Sequence, residues 1–200
     1  MFRSGKSSLL MIVGLAVVVA GFSASVYNRL VKLDQAVQAQ WAQVENVYQR
    51  RADLVPNLVE TVKGAAKFEK DTLTAVTEAR ARVGAAAAGG AAPSDPAAVA
   101  KFQQAQDQLS SALSRLLVVV ERYPELKATA NFRDLQVQLE GAENRIAVER
   151  MRYNEAAQAF NAARDTFPTT IVAGLSGKRF AEKTYFKAQG GAETAPQVHF

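Results

Sequence analysis

Few residues in this 200-residue chain have the types or spacing to do chemistry. Cysteine is absent, and the single histidine, His199, stands next to the C-terminus. That removes thiol nucleophiles, thiolate metal sites and disulfides, and leaves no histidine for a site inside a domain. Glu121 and Glu125 sit one helical turn apart beside Pro124, a spacing that could pair two carboxylates for acid–base work. A basic neighbour, Arg122, makes a solvated mixed-charge turn the plainer reading. Gly5-Lys6-Ser7-Ser8 ends like a phosphate-binding loop, but that motif needs a strand and a glycine ahead of it. Met1-Phe2-Arg3-Ser4 supplies neither, so the sequence reads as a charged cap. No catalytic residue, metal site or cofactor is expected, and the chain reads as a non-enzyme.

What remains is suited to recognition. Asn154 and Asn161 lie seven residues apart and so share one helix face, with Asn57 and Asn144 as further candidates to point inward. Asparagines inside a helical core fix register and partner choice, and these four are expected to form a register-setting polar core. The chain closes on Pro196-Gln197-Val198-His199-Phe200 after Gly190-Gly191. An extended peptide with an apolar terminal residue suits strand addition and carboxylate capture, which makes Pro196, Val198 and Phe200 the candidate partner-binding residues. A frayed terminus is the alternative.

These groups must be positioned by something, and the organising element is Leu9 to Val26, which reads LLMIVGLAVVVAGFSASV without a charge. Eighteen such residues rise about 27 Å as a helix, close to a hydrocarbon core of roughly 30 Å. An uncleaved membrane-spanning helix is expected, contacting lipid through Leu9–Val26. A cleaved signal peptide shares its charged start and its small residues Ser23-Ala24-Ser25, but has a shorter apolar run. Arg3 and Lys6 on one side tie with Arg29 and Lys32 on the other. The free amine tips the expectation to an inner-membrane, single-pass protein with its domain on the periplasmic or other extracytoplasmic side.

Beyond the anchor, apolar residues recur every three or four positions, the helical period. One stripe runs through Val26, Leu30, Leu33, Val37, Trp41, Val44, Val47 and Tyr48, and resumes at Leu54 until Gly84. Pro56 interrupts it, and Asp53 is placed to cap a new helix there. Residues 84–96, GAAAAGGAAPSDP, form the clearest loop, although the alanine run has the composition for an added helical turn. A second stripe runs from Phe102 to Val120 and from Leu126 to Phe160, across Tyr123-Pro124, until Pro168 and Gly174 end regular structure. Pro56 and Pro124 would stand level in a hairpin turning at the glycine loop. Two long kinked helices satisfy this, as does a hairpin folded over at the prolines. Folding over buries both stripes, so an all-α chain is expected: the anchor, then an antiparallel four-helix bundle with helices near 28–52, 54–83, 97–122 and 124–165. The domain organisation is 1–27 anchor, 28–188 bundle and 189–200 flexible tail.

A net charge of +5 is spread among mixed-charge helix faces rather than gathered in a run. Without an aromatic-interleaved basic patch, no nucleic-acid partner is expected. Lys178, Arg179 and Lys183 are candidates to touch anionic headgroups. The segment from Phe167 is expected to pack on the bundle as loops or a short hairpin. A protein partner for the bundle surface and tail is expected, and stripes of this length also suit self-association.

Several blocks resemble one family. They are Tyr27-Asn28 through Trp41, Arg51-Ala52-Asp53-Leu54-Val55-Pro56-Asn57-Leu58-Val59, Glu121-Arg122-Tyr123-Pro124-Glu125-Leu126-Lys127, Glu143-Asn144-Arg145-Ile146 and Tyr153-Asn154. Their order and spacing are similar to those of the LemA family over nearly the whole chain, and the apolar-ended tail resembles that of many members. The resemblance implies a bacterial single-pass membrane protein with a helical-bundle domain, in a family with a magnetosome-associated branch and members beside membrane proteases or stress systems. It carries over no catalytic residue. The Ala/Gly-rich loop at 84–96 departs from the common pattern.

Overall fold

The computed structural model describes residues 4–63, 70–88 and 93–187, with side chains from Leu9 onward. The chain is all-helical there, with no strand among the described residues. The long helices are α1 (Ser4–Lys63), α2 (Lys70–Ala88), α3 (Pro96–Val120) and α5 (Ala130–Asp165). Between α3 and α5 lies a single turn, α4 (Pro124–Lys127), and after α5 come α6 (Thr169–Leu175) and a 3-10 turn, Gly177–Phe180. Residues 181–187 follow outside any helix or strand, beginning from an extended Ala181.

The expected break at Pro56 does not occur. Helix α1 runs unbroken for 60 residues with Pro56 inside it. A proline lacks the N–H that would bond the carbonyl four residues back, here that of Ala52. Arg80 of α2 replaces it, donating Nε–H to the Ala52 oxygen at 2.9 Å. The pyrrolidine ring faces solvent, so it clashes with nothing in the core. Asp53, expected as a cap, is an exposed position inside α1.

Other boundaries also differ from expectation. The alanine run does extend α2, to Ala88. Helix α3 begins where Asp95 accepts from the amides of Ala97 and Ala98, with Pro96 in the first turn; this is the ordinary pairing of an acceptor cap with an N1 proline. The expected 124–165 helix is divided. Thr129 accepts from the Phe132 amide and starts α5 afresh. Pro168 and Gly174 do not end regular structure either, since α6 lies between and beyond them. Gly177, at φ +59°, then enters the 3-10 turn in a conformation that side-chain-bearing residues rarely adopt.

The core has a simple grammar. In α1 the buried positions step alternately by four and three: Leu30, Asp34, Val37, Trp41, Val44, Tyr48, Arg51, Val55, Leu58 and Val62. In α3 the same stepping joins Val99, Phe102, Gln106, Leu109, Leu113, Leu116 and Val120. Such a seam keeps one face of a long helix against its neighbours. Contacts such as Trp41 with Tyr153 and Arg51 with Glu143 show that α5 runs antiparallel to α1. Helix α2 packs along α3, and residues of all four long helices join one apolar cluster.

The N-terminal part of α1 stands outside that cluster. Its best 18-residue window has a mean hydropathy of 2.5, and α1 is the one described helix long and apolar enough to cross a membrane. Leu9, Leu10, Met11, Ile12 and Leu15 are all exposed.

Candidate functional site

Two polar residues occupy the α1 seam, and the structure builds its most specific features around them. Arg51 is 1% exposed. Its guanidinium donates to the Ser110 hydroxyl at 2.7 Å, to the Gln106 side-chain oxygen at 2.6 Å, to the Gln106 carbonyl at 3.2 Å and to the Glu143 carboxylate. It also lies 5.3 Å from the centre of the Tyr48 ring. Gln106 is itself the polar member of the α3 seam, 2% exposed. A planar fork suits this task, because it bonds several acceptors at once without leaving the core. The layer links α1, α3 and α5 at one level. Burial pushes the Tyr48 phenol above its ordinary pKa, against the opposing pull of the Arg150 and Arg51 charges.

Asp34, the second exception, meets residues 181–187. Its carboxylate is 2.6 Å from the Lys183 ammonium, with both side chains about 5% exposed. Lys183 also donates to the Ser94 hydroxyl at 2.9 Å, and Gln38 donates to the other Asp34 oxygen at 2.9 Å. Residues 181–187 thus form a strap seated between α1, α5 and the α2–α3 connection.

The strap is bound as a peptide would be bound, by side chains that satisfy its backbone. Asn161 accepts from the Lys183 amide at 2.8 Å and donates to the Lys183 carbonyl at 2.9 Å. Asn154 does the same for Phe186, at 2.9 and 3.1 Å. The two asparagines lie seven residues apart, about 10.5 Å along a helix, and an extended chain covers that distance in three residues. Between them the Thr184 amide donates to the Pro93 carbonyl at 2.9 Å, and the Tyr153 hydroxyl donates to the Thr184 carbonyl at 2.7 Å. The Lys187 carbonyl ends the strap, accepting from Arg150 at 2.6 Å and Gln103 at 3.0 Å. Phe186 is the apolar anchor, stacked on Trp41 with ring centres 5.5 Å apart, and Arg150 lies over its ring. A cleft of about 480 Å³ opens beside it, with Arg51, Glu143 and Lys187 in its wall.

This arrangement revises the expected asparagine core. Asn154 and Asn161 do share a face and do set a register, but that of the strap rather than of helix against helix. Asn57 and Asn144 are exposed and belong to no core. The buried polar positions of the α1 and α3 seams are instead Arg51 and Gln106 in one layer and Asp34 beneath the strap, which reading both helices in strict steps of four and three would have exposed. Lys183 is buried and paired, so it is not free for headgroups, whereas Lys178 and Arg179 are exposed. The Glu121–Glu125 pair stays on the surface, with Glu121 bound to Lys127 at 2.5 Å. Pro196, Val198 and Phe200 lie outside the described residues.

Burial, with a smaller contribution from Tyr185, holds the Tyr153 phenol well above its ordinary pKa. The folded state therefore keeps this proton more tightly than the unfolded chain. The associated stability is complete below the unfolded value of about 10 and is lost as pH rises past it. Tyr153→Phe should cost about 1 kcal/mol at neutral pH through the lost bond to Thr184. It should also flatten the alkaline fall in melting temperature above about pH 10. A variant that falls as steeply as the parent would show that other groups carry the alkaline transition.

The model of the LemA family matches residues 40–200. Two relatives, magnetosome proteins MamQ 2 and MamQ 1 of Paramagnetospirillum magneticum, are each 27% identical over 210 residues, covering 95% of this chain and 76% of theirs. Arg51, Glu143, Tyr153 and Asn154, from three separate blocks of the sequence, meet around the strap groove inside the matched region, and the chain belongs to the LemA family.

Proposed function

We propose that this protein is a membrane-anchored, non-catalytic binding or scaffolding protein of the bacterial cell envelope. In this reading Leu9–Val26 crosses the inner membrane and the helices beyond it form an antiparallel four-helix bundle on the extracytoplasmic side. Partners are engaged through the bundle surface and the C-terminal tail. The observation that carries the reading is the clamp on Lys187, whose carbonyl is held by Arg150 and Gln103. Trp41, which stacks on the neighbouring Phe186, is fifteen residues beyond Val26, so the tail departs roughly 22 Å along α1 from the anchor. A fixed departure point with an apolar-ended peptide beyond it suits presentation of a ligand.

The test is deletion from Gly190 in the full membrane-inserted chain, with capture of cross-linked partners read by mass spectrometry. The truncated protein should melt at the parent temperature and lose the captured set. Retention of the same set would remove the tail from the function. The two magnetosome relatives support a second reading, a lipid-facing membrane organiser, which predicts normal capture after truncation together with altered membrane shape on overexpression.

A further inference from the structure

Helix α6 is exposed where a helix of a water-soluble protein would be covered. Phe167, just before α6, and Ile171 and Leu175 within it are 75%, 53% and 85% exposed, and the four-residue spacing of Ile171 and Leu175 puts those two on one side of the helix. Ala173, on the other side, is buried. The position of this face in the molecule says what covers it. Phe167 and Thr169 share a cleft with Phe22, Val26 and Arg29 of α1, and Tyr27 meets Phe180 with ring centres 5.3 Å apart. Phe22 lies four residues inside the end of the apolar stretch, about 6 Å along the axis. A bilayer that accepts Leu9–Val26 therefore reaches the level of Phe167. Apolar side chains of an interfacial helix settle about 5–10 Å into the headgroup–acyl boundary. Arg29, Lys178 and Arg179 are exposed on the flanks of this patch, the charge that anionic headgroups attract. The nearby acid Asp165 is engaged by Arg164 at 2.5 Å.

We infer that Phe167 and α6 form a second membrane contact, a short interfacial helix that lays Phe167, Ile171 and Leu175 into the lipid beside the anchor. The inference rests on the reading of Leu9–Val26 as a membrane span. A helix alone is free to tilt and rotate in the bilayer, and two contacts hold the domain at one tilt. The α6 contact thereby sets the direction in which the strap groove and Lys187 face.

The absence of cysteine makes single-site spin labelling direct. Labels would be placed by Val17→Cys, Phe167→Cys, Leu175→Cys and Val137→Cys in the full chain, reconstituted in mixed phosphatidylcholine–phosphatidylglycerol vesicles. Collision with oxygen and with a water-soluble nickel chelate would be compared. All four side chains are at least half exposed, so the labels displace no core residue, and Trp41 fluorescence checks the fold. Val137, at the far end of α5 from the anchor, is the aqueous reference. Labels at 167 and 175 should show several-fold less collision with the chelate than the label at 137 and more with oxygen, as should the label at 17. Chelate access at 167 and 175 equal to that at 137, with 17 still shielded, would overturn the α6 contact and leave the span intact. Aqueous access at 17 would overturn the span and the inference together. Low collision with both reagents at 167 and 175 would mean a protein surface covers α6, which also overturns it.

Discussion

Replacing Arg51 with alanine is expected to destabilise the domain by about 3 kcal/mol, a fall in melting temperature on the order of 10 °C. The side chain is 1% exposed and its removal leaves Gln106, itself buried, without the donor that satisfies its side-chain oxygen. Ser110 and Glu143 lose their partner as well, although Glu143 is 45% exposed and regains water. That partial rehydration is why the cost falls at the lower end of the 3–5 kcal/mol typical of a broken buried pair. The double variant Arg51→Leu, Gln106→Leu removes both polar members of the layer and continues both apolar seams. It should recover much of the loss, since the α1 and α3 seams then hold no buried polar side chain at that level, and Glu143 is exposed enough to regain water. Calorimetry of the full chain in detergent, on the parent and both variants, decides this. An Arg51→Ala variant within about 0.5 kcal/mol of the parent would show that the layer contributes nothing to stability.

Asp34→Ala is the second large effect, and its character differs because Lys183 lies on a strap rather than inside a long helix. Removing the carboxylate leaves an ammonium buried beside Ser94 and the Phe160 ring. The chain can avoid that state by lifting residues 181–187 from the groove, at the expense of the Asn154 and Asn161 bonds. Undocking would uncover Trp41, which stacks on Phe186 and is the protein's single tryptophan. The expected result is a red shift of tryptophan emission and rapid amide exchange at Lys183 and Phe186, with about 3 kcal/mol of stability lost. Pairing the change with Lys183→Met should reverse the shift. Parent-like emission from Asp34→Ala alone would mean the two asparagines hold the strap unaided.

Much of this protein was legible in its residues taken singly. That Leu9–Val26 is long and apolar enough to cross a bilayer needs no tertiary context, because length and composition alone show it. The helical class follows similarly from stripes such as Leu109, Leu113 and Leu116, whose spacing has meaning only on a helix. The absence of cysteine excludes thiol chemistry before any fold is known. Local signals then failed where a distant residue supplied the missing group. Pro56 looks like a helix break, and it is not one because Arg80 bonds the carbonyl that the proline leaves free. Asn154 and Asn161 look like contacts between helices, yet a non-helical segment more than twenty residues onward takes their amides. Arg51 and Asp34 read as ordinary surface charges until Glu143, Gln106 and Lys183 arrive beside them. Hydrophobic periodicity is a property of neighbours along the chain and can be read from it. Satisfaction of a buried charge or a freed carbonyl depends on groups far apart in sequence, and only the folded arrangement decides which of them meet.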